Sequence, residues 1–226
     1  LRDEAGFQPQ VVDLDEDGLG DLVVMREVQT AEDAWAYEAS VFLGPISGPL
    51  TLATADTHLQ VSKTGNSATS RNLRAAGEWS DGRSLLAVAD TYGGGSFSAT
   101  RAGVVHLLGW DETAAGLEVV DEISGMNEYQ YLGYEVADAG DLNGDGINDR
   151  VVTTLTDLSS DPFGEAESRL GGVIELFTDE TSVPETSVVS NAFYSDIVEH
   201  LGGPGDLNGD GHADLVFSAS FSYMGE

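Results

Sequence analysis

The sequence predicts an all-β protein: a β-propeller of four-stranded antiparallel blades of about 64 residues, with about three and a half blades in this chain. Three observations predict it. A nine-residue acidic cassette occurs three times, each copy is flanked by short strand-like runs, and the copies fall on one repeat length.

The cassettes are Asp13-Leu14-Asp15-Glu16-Asp17-Gly18-Leu19-Gly20-Asp21, Asp141-Leu142-Asn143-Gly144-Asp145-Gly146-Ile147-Asn148-Asp149 and Asp206-Leu207-Asn208-Gly209-Asp210-Gly211-His212-Ala213-Asp214. Positions 1, 3, 5 and 9 carry side-chain oxygens, and position 6 is a turn-forming Gly. Ca²⁺ takes six to eight oxygens at about 2.3–2.6 Å, and a short loop of this kind wraps them round one point. The backbone carbonyls at position 7 (Leu19, Ile147, His212) would add a ligand to each. Three metal-free Asp-rich turns are the plain alternative, but a lone Asp-Gly turn is ordinary and three copies in one spacing are not. The expectation is three structural Ca²⁺ sites, the first with four Asp ligands and the other two with three Asp and one Asn.

The residues just after each cassette exclude an EF-hand, which needs a bidentate Glu at position 12 between two helices. Position 12 is Val24, Val152 or Phe217, inside the apolar runs 22–25, 151–154 and 215–218. Short β-branched and aromatic runs bounded by Gly and Asp read as strands. A strand-like stretch also precedes each cassette, at 10–12, 134–137 and 200–202. Each cassette therefore joins the first two strands of a unit.

The second and third cassettes start 65 residues apart and the first two 128 apart, so one is missing near residue 77. The decayed copy runs Ala76-Gly77-Glu78-Trp79-Ser80-Asp81-Gly82-Arg83-Ser84-Leu85. It is one residue short, puts Ser80 at position 3, and has Leu85 where the closing carboxylate belongs. That turn is expected to form without an ion.

The third strands are expected at 39–43, 103–107 and 172–177, each opening on a small residue, and weaker fourth segments at 50–60, 117–122 and 187–189. Blades then span roughly 7–62, 70–125, 131–192 and a partial 199–226. The second-to-third connections, 26–38, 90–102 and 155–171, carry Trp35, Tyr37, Tyr92, Phe97 and Phe163. The connections between blades carry Met126, Tyr129, Tyr131, Phe193 and Tyr194. Aromatic residues in loops on a rigid scaffold suit recognition, although Tyr131 and Phe193 are expected to tuck inward.

The order of an apolar or aromatic residue before Gly (Tyr131-Leu132-Gly133, Leu201-Gly202), the Asp-rich loop, a strand, and Gly-Val-x-x-x-Phe (Gly172 to Phe177) resembles the FG-GAP repeat of integrin α-subunit propellers and their bacterial relatives. The resemblance covers essentially the whole chain and is most specific in the acidic loops. It implies a seven-bladed ring with all the calcium loops on one rim, and an extracellular or cell-surface role in binding a protein or glycan through the opposite rim. Seven blades need about 450 residues, so further blades or another chain would complete the ring. A start at Leu1 suits a processed or excised segment.

Composition narrows the partners. Forty acidic and nine basic residues give a net charge of −31, which three Ca²⁺ would bring only to −25. Such a surface repels nucleic acid and anionic membranes. The chain has no Cys, so it holds neither a disulfide framework nor a thiol nucleophile. No apolar run approaches the roughly 20 residues of a membrane-spanning helix. Cytosolic Ca²⁺ is too scarce for weak sites of the extracellular kind, with Kd about 10⁻⁴–10⁻³ M. Gly-x-Ser-x-Gly and His-Glu-x-x-His are absent and the four His are scattered, so no catalytic site is expected. The competing readings are a structural subunit of a secreted or surface assembly, and a calcium-dependent enzyme acting on polysaccharides.

Overall fold

A computed structural model describes residues 5–31, 34–64, 72–94, 101–157, 170–178, 184, 186–189 and 195–221. They form four antiparallel sheets and one three-residue 3-10 turn, Leu52–Thr54. Sheet 1 is β1 (Ala5–Val12), β2 (Asp21–Ala31), β3 (Ala34–Phe42) and β4 (Thr57–Lys63). Sheet 2 is β5 (Asn72–Glu78), β6 (Ser84–Asp90), β7 (Val104–Asp111) and β8 (Gly116–Ser124). Sheet 3 is β9 (Val136–Gly140), β10 (Asp149–Asp157), β11 (Leu170–Phe177) and β12 (Thr186–Val189). Sheet 4 pairs β13 (Ser195–Gly205) with β14 (Asp214–Phe221). Within every sheet the strands neighbour one another in chain order, a meander in which each turn joins adjacent strands. Among the described residues no helix is long and apolar enough to cross a membrane.

Period-2 alternation explains how the sheets stack. In β6, Leu86 and Val88 join a core with Val23, Met25, Tyr37 and Val41 of sheet 1. Their neighbours Leu85, Ala87 and Ala89 face the other way, into a core with Val136, Val152 and Phe177 of sheet 3. Successive strand residues point to opposite faces, so sheet 2 is apolar on both sides and lies between two sheets. In β10, Val152 faces sheet 2 while Val151 joins Ala139 and Ile174 in a third core, against Leu201 and Leu215 of sheet 4. The first strands β1, β5, β9 and β13 pack in series.

Sheet 1 departs from expectation in two places. The segment expected to be a loop over 26–38 is mostly strand, because β2 runs to Ala31 and β3 begins at Ala34, paired from Leu22↔Phe42 to Ala31↔Ala34. Tyr37 is consequently a core residue with no exposed surface, held within the sheet 1–sheet 2 core. The polar run Arg26-Glu27-Val28-Gln29-Thr30 reads as loop by composition. Ladder hydrogen bonds need no apolar side chains, and the ion pairs Arg26–Glu38 and Lys63–Glu27 carry that end of the sheet. The fourth strand begins at Thr57, after the 3-10 turn, not at Leu50.

Candidate metal centres

All three intact cassettes lie where the sequence places them, joining β1 to β2, β9 to β10, and β13 to β14. They share one internal network. The position-6 N–H donates to Oδ2 of position 1 in each: Gly18 to Asp13 at 2.9 Å, Gly146 to Asp141 at 2.9 Å, Gly211 to Asp206 at 2.8 Å. The position-7 N–H donates to Oδ1 of position 5: Leu19 to Asp17 at 2.8 Å, Ile147 to Asp145 at 2.9 Å, His212 to Asp210 at 3.0 Å. The position-2 N–H donates to Oδ2 of position 9: Leu14 to Asp21 at 2.8 Å, Leu142 to Asp149 at 2.7 Å, Leu207 to Asp214 at 2.7 Å.

Gly at position 6 is required, since φ is +86°, +90° and +95° at Gly18, Gly146 and Gly211, the left-handed region that Gly enters without steric cost. Position 4 is left-handed too. Gly144 and Gly209 sit there without strain, whereas the first loop puts Glu16 there at φ +57°.

Positions 5 and 9 thus each spend one oxygen on the loop's own amides, while Asp141 and Asp206 at position 1 spend both. The first loop brings oxygens of Asp13, Asp15 and Asp21 within 4.8 Å of one another, with Oδ1 of Asp13 buried and without a hydrogen-bond partner. Burial, and then the nearby Asp21 charge, push the Asp15 carboxyl up. Asp17 stands outside that trio.

In the other two loops an amide lies between the carboxylates. Asn143 Nδ2 donates to Asp145 Oδ2 at 3.0 Å; Asn208 Nδ2 donates to Asp210 Oδ2 at 3.0 Å and to Asp214 Oδ1 at 3.3 Å. A cation there would replace the amide N–H as the partner of these oxygens. Asp149 is 1% exposed and its Oδ1 has no partner; burial pushes this carboxyl up to about 6. Burial opposes ionisation of Asp141 as well, but the Gly146, Gly144 and Asp145 amides outweigh it and hold the carboxyl below its ordinary value. At Asp206 the Gly211 amide leads the same lowering.

A buried carboxylate oxygen with no donor is costly unless something neutralises it. Hard oxygen donors in this number, on a turn already closed by its own amides, fit a hard divalent cation. Ca²⁺ would be held by Asp13, Asp15, Asp17 and Asp21, by Asp141, Asn143, Asp145 and Asp149, and by Asp206, Asn208, Asp210 and Asp214. The carbonyls of Leu19, Ile147 and His212 would add the backbone ligand expected from the spacing.

The decayed copy forms a tight hairpin closed by Trp79 N–H to Arg83 O at 2.9 Å and Gly82 N–H to Trp79 O at 2.8 Å. Leu85 is in the core. Arg83, to which the spacing assigns no role, binds Asp81 at 2.8 Å, Glu118 at 3.0 Å and the Trp110 carbonyl at 3.0 Å. A guanidinium supplies the positive charge that the other loops lack. The available signal was a basic residue inside a loop that had lost its ligands.

At the other end of the sheets, Tyr92 and Tyr131 stack edge to face with centroids 5.5 Å apart, and Tyr129 leans on Tyr131 at 6.4 Å. Arg101 Nη1 approaches the Tyr131 hydroxyl at 3.5 Å. Tyr131 is half-buried, as part of this cluster, while Tyr129 and Met126 are exposed. Trp35 is exposed near the tip of the β2–β3 hairpin. Phe97, Phe163, Phe193 and Tyr194 lie outside the described residues.

Ser40, His58 and Glu38 also meet in sheet 1, yet Ser40 Oγ (2.8 Å) and Glu38 Oε1 (3.9 Å) both approach Nδ1 of the ring. A proton relay needs the two partners on different ring nitrogens, and Ser40 is fully buried.

Neither the family models nor the curated proteins compared with this chain match it, so the resemblance to FG-GAP repeats rests on the loops and the repeat spacing.

Proposed function

We propose that the chain is a calcium-stabilised β-propeller segment of the FG-GAP type, working outside the cell as an adhesion or interaction module. One observation carries this reading: three loops repeat the same amide-to-carboxylate network, and two of them keep a buried carboxylate oxygen without a donor. Serial stacking of four-stranded meanders, with sheet 2 apolar on both faces, supports the radial arrangement of blades. The metal's role is structural. Unneutralised, converging carboxylates push the first two strands of a blade apart; bound Ca²⁺ turns the same charges into ligands. Such weak sites fill in extracellular fluid, which fits secretion or the cell surface. The ligand, a protein or a glycan, meets the rim that carries Tyr92, Tyr129, Tyr131 and Met126, since Tyr, Met and Arg are enriched where proteins recognise one another.

Metal analysis after equilibrium dialysis in millimolar calcium tests the reading. Three Ca²⁺ per chain are expected, falling to two in Asp145→Ala. No bound calcium would overturn it.

A second reading, a structural subunit completed by other strands, is favoured by sheet 4. Strand β14 pairs with β13 alone among the described strands, and its Val216 and Phe217 are 51% and 47% exposed. Unpaired apolar edges recruit strands. Sedimentation with and without chelator separates the two: an oligomer in both states favours the subunit, a monomer the module.

A further inference from the structure

The junctions between successive cassettes are not alike. Ala213, position 8 of the fourth sheet's loop, donates its N–H to the carbonyl of Asp141, position 1 of the third sheet's loop, at 2.8 Å. A Cβ on Gly140, just before Asp141, would lie 2.7 Å from the Ala213 Cβ. The neighbouring His212 lays its imidazole over Gly144, where an added Cβ would meet the ring Cε1 at 2.8 Å. The backbone of one loop is therefore the seat of the next.

A comparable junction lies one sheet earlier, with the backbone hydrogen bond reversed. The Glu78 N–H donates to the Asn148 carbonyl at 2.9 Å, the Asn148 N–H reaches Glu78 Oε2 at 3.4 Å, and Gly77 makes room for the Asn148 backbone. There, however, the lower partner is the Arg83 hairpin, which lacks the closing carboxylate and pairs its acids with an internal guanidinium. Around the first loop the seat is replaced by a cleft, where Leu14, Asp15 and Glu16 face Asp81, Arg83 and Trp110.

From this asymmetry we infer that calcium binding at 206–214 and at 141–149 is positively coupled through the Ala213–Asp141 hydrogen bond and the His212–Gly144 contact, while binding at 13–21 is independent. The inference rests on the metal reading above. An ion in either loop fixes ligands at positions 1 to 9 and thereby fixes the shared hydrogen bond and ring contact. The second loop then has less freedom to lose when it binds, and one ligand that has already met the ordering cost favours the other. Coupling is reciprocal, so each site must strengthen the other by the same factor, and couplings of this kind run from about 5-fold to about 150-fold.

Calorimetric titration of the 226-residue chain with Ca²⁺ alone tests it. Asp15→Ala silences the first loop throughout. In that background Asp210→Ala leaves the third-sheet site and Asp145→Ala leaves the fourth-sheet site, each checked by circular dichroism for retained β structure; Asp210→Asn and Asp145→Asn serve where an alanine variant fails that check. Each isolated site is expected to bind at least about 5-fold more weakly than the pair predicts, by an equal factor in both directions. In the two-site protein, His212→Ala, which takes the imidazole off Gly144, should shrink the coupling factor. In the three-site protein, Asp210→Ala should leave the affinity at 13–21 unchanged. Calcium bound at three sites that fill independently would overturn the coupling and leave the metal reading intact. No calcium at any loop would overturn both.

Discussion

Two hairpins in equivalent places treat their acidic charge differently. Loop 141–149 gathers three Asp and one Asn, closes on its own amides, and leaves Asp149 Oδ1 buried without a donor. Hairpin 79–83 has lost its closing carboxylate and gained an internal guanidinium, with Arg83 bound to Asp81, Glu118 and the Trp110 carbonyl. Both join the first and second strands of a sheet, and both sheets have intact cores. In the hairpin the countercharge is covalently part of the chain; in the loop, on the metal reading proposed above, it would come from a solute. On that reading, a sheet whose first turn responds to calcium would sit beside one whose turn does not.

The largest test of this contrast is removal of the ion. With Kd about 10⁻⁴ M, a site in about 1 mM calcium contributes about 1.4 kcal/mol, so three sites contribute about 4 kcal/mol. At about 2–4 °C per kcal/mol for a chain of this size, chelation is expected to lower Tm by roughly 10 °C. Hydrogen exchange locates the loss: the amides of Gly18, Gly146 and Gly211 should exchange faster in chelator, and those of Trp79 and Gly82 should not. Uniform acceleration across all four turns would erase the distinction.

Gly77→Ala asks whether the arginine hairpin is a platform for its neighbour. Gly77 has φ +75°, and a Cβ there would lie 2.5 Å from the Asn148 carbonyl oxygen and 2.8 Å from that of Asp149. Left-handed strain and overpacking against backbone together cost about 2–3 kcal/mol, read by urea denaturation. Calcium affinity at 141–149 should fall as well, because Asn148 and Asp149 must shift. Wild-type affinity would mean that the seat holds the sheets together without positioning the ligands.

Arg83→Ala has a smaller expected effect, about 1–2 kcal/mol, because the guanidinium is partly exposed and its pairs with Asp81 and Glu118 are screened, leaving the bond to the Trp110 carbonyl as the main loss. Its value lies in the sign of a difference: the stability lost should be the same with calcium and with chelator. A loss that grows when calcium is removed would tie the arginine to the ion sites.

The turns at 13–21, 141–149 and 206–214 were legible in the sequence because three acidic copies share one spacing between apolar runs. The four strands of sheets 1, 2 and 3 followed from where apolar runs sit relative to those turns. Polar strand ends were not legible: Arg26 to Ala31 pair with Ala34 to Glu38 through backbone groups that every sequence possesses. Tyr37 was misplaced to a rim for that reason. The role of Asn143 and Asn208 as internal donors, and the seating of Ala213 on Asp141, depend on which atoms meet across loops. Only the glycines at 77 and 140 hinted that another backbone passes close by.

Sheet 2 should carry a dependence of its own, on protons. His106 on β7 is 8% exposed, and burial holds its imidazole below the ordinary 6.5, partly offset by Glu122 on β8, 3.3 Å away, and by Asp90 on β6. The unfolded chain therefore binds this proton more readily than the folded one. The stability that neutral His106 contributes is present above about pH 6.5 and is lost as pH falls below it towards the depressed folded value. At saturating calcium the protein should lose stability on acidification from about pH 6.5, and His106→Gln should flatten that part of the profile while leaving the chelator-induced drop in Tm unchanged. Equal slopes in the two proteins would show that other groups set the acid response of this sheet.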